Sequence, residues 1–152
     1  SMNLSEHLTL AEFTASDTAQ RRHIDNSLPP DLMDNALRTA RMLEAIRAHL
    51  GQACSRDVPI IVTSGFRCRA LNSAIGSTMG SDHPRAMAID FRAPKYGTPR
   101  QVCAALLKHM DALDIGQMIY EHSWVHCSWR RPIQDNNRVL TLAGSGYQKG
   151  IA

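Results

Sequence analysis

The chain lacks any apolar stretch approaching the roughly 20 consecutive residues that a bilayer-crossing helix requires, which excludes a helical membrane span. It also lacks a basic flank followed by an apolar run, the mark of a secretory leader, so a chain that is cytoplasmic as synthesised is expected. None of the four cysteines, Cys54, Cys68, Cys103 and Cys127, stands in a C-x-x-C pair, and a structural zinc knuckle is not expected. Without a leader these thiols are expected to be free rather than paired. There is no block of basic residues either: 17 Lys and Arg are scattered against 14 Asp and Glu, for a net charge of +3, and no nucleic-acid footprint is evident. Internal repeats and low-complexity segments are missing too. What is there is 152 residues, 43% of them apolar, which suits one domain with its own core.

Ser1-Met2 reads as a cloning scar, so residues 1–3 are set aside as scar and tail. The segment Leu4 to Phe13 places Thr9 three residues before Glu12, a capping box that opens a short helix, and Ser16 or Asp17 offers a second cap. After Pro29-Pro30, Leu32, Ala36, Leu37, Ala40, Leu43, Ile46 and Leu50 recur at three- and four-residue steps, predicting a helix that Gly51 ends. Pro59 to Thr63 and Ala88 to Phe91 read as strands, with a short helix near Ala70–Ile75 and a Gly/Ser-rich loop from Gly76 to Ser81 between them. Thr98-Pro99 opens another helix. Gly116–Glu121 and Trp124–Trp129 then read as strands joined by His122-Ser123, and Val139–Leu142 as a last strand before a frayed, Gly-rich tail over 146–152. The class predicted is α+β, a single domain over 4–145 with a mainly antiparallel sheet flanked by helices.

Three elements carry possible chemistry: Ser81 to Asp90, the pair Glu121 and His126, and Thr63 to Arg67. Two imidazoles and a carboxylate can fill three corners of a tetrahedral zinc site and leave the fourth open, the arrangement of a catalytic rather than a structural ion. His83, Asp90 and His126 are the candidate ligands. A carboxylate must still move a proton, and Glu121 is the candidate. If His122-Ser123 is a two-residue turn, Glu121 lies opposite Trp124 and Ile119 opposite His126, so Glu121 and His126 share a face as diagonal neighbours. Arg67 can grip a substrate carboxylate bidentately. Ser81 is a candidate hydrogen-bond donor to substrate or to the ligand shell. Trp124 and Trp129 fit either the core or the border of a substrate groove, and Trp124 is assigned to the groove. Cys127, one residue past a ligand, should face away from the metal. His7, His23, His49, His109 and His122 are read as surface or structural.

These residues resemble the zinc D-Ala-D-Ala metallopeptidases, a family of peptidoglycan carboxypeptidases, D,D-dipeptidases and phage endolysins that shares its metal site with hedgehog signalling domains. Ser81, His83, Ala88 and Asp90 match the form S-x-H-x-x-G-x-A-x-D, Trp124-Val125-His126 matches the later W-x-H, and Ser64-Gly65-Phe66-Arg67 matches S-G-[YF]-R. The likeness runs from about residue 4 to 142, and Leu8 to Phe13 is similar to a phage or prophage subgroup. Two positions depart from the pattern. Ala86 replaces the motif's glycine, at a cost of about 1 kcal/mol if φ must be positive there. Glu121 precedes His126 by five positions, where many relatives have three.

The resemblance implies a hedgehog/D,D-peptidase-like domain in which His83, Asp90 and His126 bind Zn2+, Glu121 is base and acid, and Arg67 binds substrate. It further implies hydrolysis of peptidoglycan stem peptides by a carboxypeptidase or endopeptidase that acts on the cell wall after release or as part of a virion; a monomer is expected. The alternative is a non-catalytic zinc-binding wall-interaction or virion module, with a nucleic-acid binder third.

Overall fold

A computed structural model of the chain describes residues 2–77 and 81–152; Ser1 of the expected scar and Thr78–Gly80 of the expected Gly/Ser-rich loop lie outside the described residues. The N-terminal segment is more than a capped helix. Strands β1 (Asn3–Ser5) and β2 (Leu8–Thr9) pair antiparallel before α1 (Leu10–Thr14) begins. The Thr9–Glu12 capping box is present, and Ser16 caps α2 (Asp17–Arg21). After a 3-10 turn at Pro30–Leu32, α3 (Met33–Cys54) buries Ala36, Ala40, Leu43, Ile46 and Leu50 along one stripe. Gly51 does not end this helix as its composition suggested. The backbone continues one more turn until Ser55 adopts a left-handed conformation (φ 56°). The use of Gly51 is steric instead, since a Cβ there would lie 3.0 Å from the Arg56 carbonyl oxygen that folds back on it.

The main sheet contains β3 (Ile61–Ser64), β4 (Ala88–Arg92), β5 (Gln117–Tyr120), β6 (Val125–Ser128), β7 (Val139–Ala143) and β8 (Gly146–Lys149), in the order β3-β4-β6-β5-β7-β8. Helix α4 (Arg69–Ala74) follows β3, and α5 (Pro99–Leu106), capped by Thr98 and Gln101, connects β4 to β5. Every neighbouring pair is antiparallel except β5 with β7. The α+β, mainly antiparallel expectation holds. The frayed tail does not: residues 146–149 form β8, because a turn with Gly144 at φ 60° returns the chain antiparallel along β7. Among the described residues, no helix is long and apolar enough to cross a membrane.

Register divides the sheet into two faces, since alternate residues on a strand point to opposite sides. Ile89 pairs with Cys127 and Cys127 with Met118, a row that joins the side chains of α3 and α5 in the hydrophobic core. One residue along, Asp90 pairs with His126, His126 with Ile119 and Ile119 with Leu140. That second row faces away from α3 and α5 and lines a cleft.

Candidate metal centre

The hairpin geometry that unites Glu121 with His126 forms as the spacing predicts. Ile119 pairs with His126, Glu121 N donates to Trp124 O at 3.1 Å, and His122 takes the positive φ (62°) of the turn. His122 is exposed, and its Nε2 donates to Leu142 O at 2.8 Å. Asp90 and His126 therefore meet through strand register. His83 arrives separately, on a 3-10 turn (His83–Arg85) that leads into β4.

The ligand-type atoms of His83, Asp90 and His126 all lie within 4.8 Å of one another, and all three residues are buried. His83 Nε2 is 3.3 Å and His126 Nδ1 2.9 Å from the same oxygen, Asp90 Oδ1. His83 Nδ1 donates to Gly65 O at 2.6 Å, which fixes its tautomer and turns the lone pair of Nε2 inward. Lone-pair donors facing one another in a buried site need protons or a cation between them. Four-coordinate zinc with bonds of about 2.0–2.1 Å separates its donors by about 3.4 Å, close to what is seen, so the donor set fits such an ion. Burial opposes charge on Asp90, but the His83 and His126 rings outweigh it and hold the carboxyl below the usual carboxylate range. Burial likewise opposes charge on His126, and its contact with Asp90 outweighs that and raises its pKa.

Gly65 has a steric reason. A Cβ there would sit 2.3 Å from Phe13 O, and the open approach lets Phe66 N donate to Phe13 O at 2.8 Å. Asn26 secures the same loop, donating from Nδ2 to Phe66 O at 2.9 Å and accepting from Cys68 N at 2.8 Å. Arg67 is thereby held over the site. Its Nε donates to Asn72 Oδ1 and its Nη1 to Ser64 Oγ, each at 3.1 Å, and Nη1 stands 3.8 Å from Asp90 Oδ2. Ser81 Oγ accepts from His83 N at 3.3 Å, which braces the ligand turn. Ala86 adopts φ 59°, so the strain foreseen at the motif's glycine is present. The bend is tied down by Thr39 Oγ1, which donates to Ala86 O at 2.7 Å and accepts from Trp129 Nε1 at 3.0 Å.

Arg67, Ser81, His83, Asp90, Glu121, Trp124 and His126 all line one cleft of about 670 Å³. Trp124 Nε1 donates to Glu121 Oε2 at 3.1 Å, which aims that carboxylate. Burial and then the neighbouring Asp90 charge push the Glu121 pKa up, against smaller opposing effects of His126, Trp124 and His83. Trp129 is elsewhere, packed against the core with the Arg38 guanidinium 4.1 Å from its ring centre. All four cysteines are free; burial pushes the Cys103 thiol up to about 12 and raises that of Cys127 as well, so both stay protonated and inert.

Sequence reasoning assigned nothing to Asp82, which is buried and joins the ligand turn to β6. Its carboxylate accepts from Ser128 Oγ at 2.8 Å and from Arg130 Nε at 2.5 Å. Tyr147, on the strand mistaken for a frayed tail, also lines the cleft and was missed. The two-residue Gly144-Ser145 turn directly after the Val139–Leu142 strand was the signal for it.

A sequence model of the family described as Peptidase M15 matches residues 6–128, more than half of the chain. No curated protein matches it.

Proposed function

The chain belongs to the peptidase M15 family, and from that premise we propose that it is a zinc-dependent peptidase acting on peptidoglycan stem peptides. The family makes the protein a metallopeptidase. The observation that carries the reading further is the convergence of two imidazoles and a carboxylate in one cleft with Glu121 and Arg67. In this reading His83, Asp90 and His126 hold the ion. Zinc, when bound, supplies Lewis acidity that polarises the scissile carbonyl and makes water nucleophilic near neutral pH.

The chain's own side chains do the rest. Glu121 takes the proton of the attacking water and delivers it to the leaving nitrogen as the carbon–nitrogen bond breaks. The Trp124 hydrogen bond keeps one oxygen of Glu121 directed while the other is left to the reaction. Arg67 clamps a carboxylate or carbonyl of the substrate and aligns the scissile bond. Ser81 braces the His83 turn and offers its hydroxyl to the substrate. The opening segment Leu8 to Phe13 supports a phage or prophage origin, with a monomeric enzyme reaching the wall after release or as part of a virion.

Digestion of purified peptidoglycan with mass analysis of the products tests the reading. Free D-alanine identifies a carboxypeptidase, and new amino termini within the stem identify an endopeptidase. Glu121→Gln should keep its zinc and lose about 10²–10⁴-fold in rate. Full zinc occupancy in a wild-type protein without action on stem peptides would favour a non-catalytic wall-binding module.

A further inference from the structure

We propose that the β7–β8 hairpin completes the substrate cleft and that Tyr147 binds the peptide on the side away from Arg67. The proposal rests on the peptidase reading above and assigns part of the substrate site to a segment beyond residues 6–128, the stretch matched to the family.

Register places the residue. Ile119 pairs with Leu140 across β5 and β7, and Leu142 pairs with Tyr147 across β7 and β8. Residues two apart on a strand share a face, so Leu140, Leu142 and Tyr147 stand on the face of Asp90 and His126. Leu140 and Tyr147 line the same cleft as Glu121 and Trp124. Because the sheet runs β3-β4-β6-β5-β7-β8, the candidate ligands on β4 and β6 lie between Arg67, just past β3, and Tyr147 on β8. A peptide end gripped by Arg67 leaves the remainder of the substrate running over β6 and β5 toward Tyr147.

The hairpin is firmly set, as a binding wall must be. His122 donates to Leu142 O, Thr141 Oγ1 donates to Gly150 O at 2.7 Å, and Ala152 N donates to Thr141 Oγ1 at 2.9 Å. Arg100 Nε donates to Ala152 O at 2.7 Å and ties the chain end to α5. Tyr147 is nevertheless 55% exposed, presenting an apolar ring and a hydroxyl at the mouth of a polar cleft. Its phenol, protonated near neutral pH as a tyrosine ordinarily is, can donate to peptide carbonyls.

The test is steady-state kinetics of the zinc-loaded enzyme on stem peptides of three and five residues. Tyr147→Ala should raise KM on the longer peptide about tenfold, and Tyr147→Phe a few-fold through loss of one hydrogen bond. For both variants kcat should stay within about twofold, with smaller KM changes on the shorter peptide and unchanged zinc content. If Tyr147→Ala lowers the melting temperature, Tyr147→Phe, which keeps the ring, carries the test alone. A wild type that cleaves while both variants keep its KM overturns the assignment of Tyr147 and leaves the peptidase reading standing. A wild type that cleaves no stem peptide overturns the peptidase reading, and this proposal with it.

Discussion

Asp90 and Phe91 are neighbours on β4, both almost fully buried, yet they serve opposite faces of the sheet. Phe91 packs with Val125, Ile89 and Cys127 against the helices, where burial of apolar surface is favourable without further conditions. Asp90 is buried among His83, His126 and Arg67, where the surrounding imidazoles and guanidinium offset the cost of burying its charge. The same strands thus carry the hydrophobic core on one side and the candidate metal-binding groups on the other, in alternate residues. A single period-2 pattern accounts for both.

The contrast breaks most sharply when the two neighbours are substituted in turn. Asp90→Ala should reduce hydrolysis by at least about 10³-fold, since the donor set loses its central member, while the metal-free protein remains folded. Phe91→Ala should cost about 3–5 kcal/mol in urea unfolding, with kcat of the surviving folded enzyme changed far less. Comparable activity losses in both variants, or comparable stability losses, would contradict the division into two faces.

A smaller effect is expected at the joint between the faces. Gly65→Ala forces a Cβ against the Phe13 carbonyl oxygen, so the loop must shift and carry the Gly65 carbonyl away from His83 Nδ1. Unfolding experiments should show a loss of about 1–3 kcal/mol, accompanied by weaker zinc binding. A stability loss without any change in zinc affinity would show that the Gly65 carbonyl does not orient the ligand.

The smallest expected effect lies far from the cleft and has a definite pH sign. Burial raises the Glu44 pKa, but hydrogen bonds from Ser5 Oγ at 2.6 Å and from His7 outweigh it, leaving a value below the ordinary 4.5. A carboxylate with a depressed folded-state pKa adds stability above its unfolded pKa, and that contribution disappears as pH falls through the folded value. Glu44→Gln should therefore be destabilised by about 1 kcal/mol near neutral pH, where the wild-type carboxylate is ionised, and the difference should shrink as pH falls through the folded-state pKa. A difference that persists in acid would assign the effect to packing.

The legible parts of the molecule were those written in short stretches of sequence. The Thr9–Glu12 box, the helical stripe from Ala36 to Leu50 and the two-residue turn at His122-Ser123 are local, and the turn alone determined which face Glu121 and His126 share. Ser81 to Asp90 was legible for the same reason. The missed features depend on distant partners or on turn strain. Asp82 acquires its role only when β6 brings Ser128 and Arg130 against it. Gly51 looked like a helix end because apolar periodicity stops at Leu50, whereas the helix runs on to Cys54 and the left-handed residue that ends it is Ser55. The tail's glycines suggested fraying, but one of them closes the β7–β8 turn.

Calorimetric titration of the metal-free protein with zinc tests the central claim most directly. Wild type is expected to bind one ion per chain, and His83→Ala, Asp90→Ala and His126→Ala each to lose at least about 100-fold in affinity. Unaltered one-to-one binding in any of the three variants would contradict a centre built from these residues.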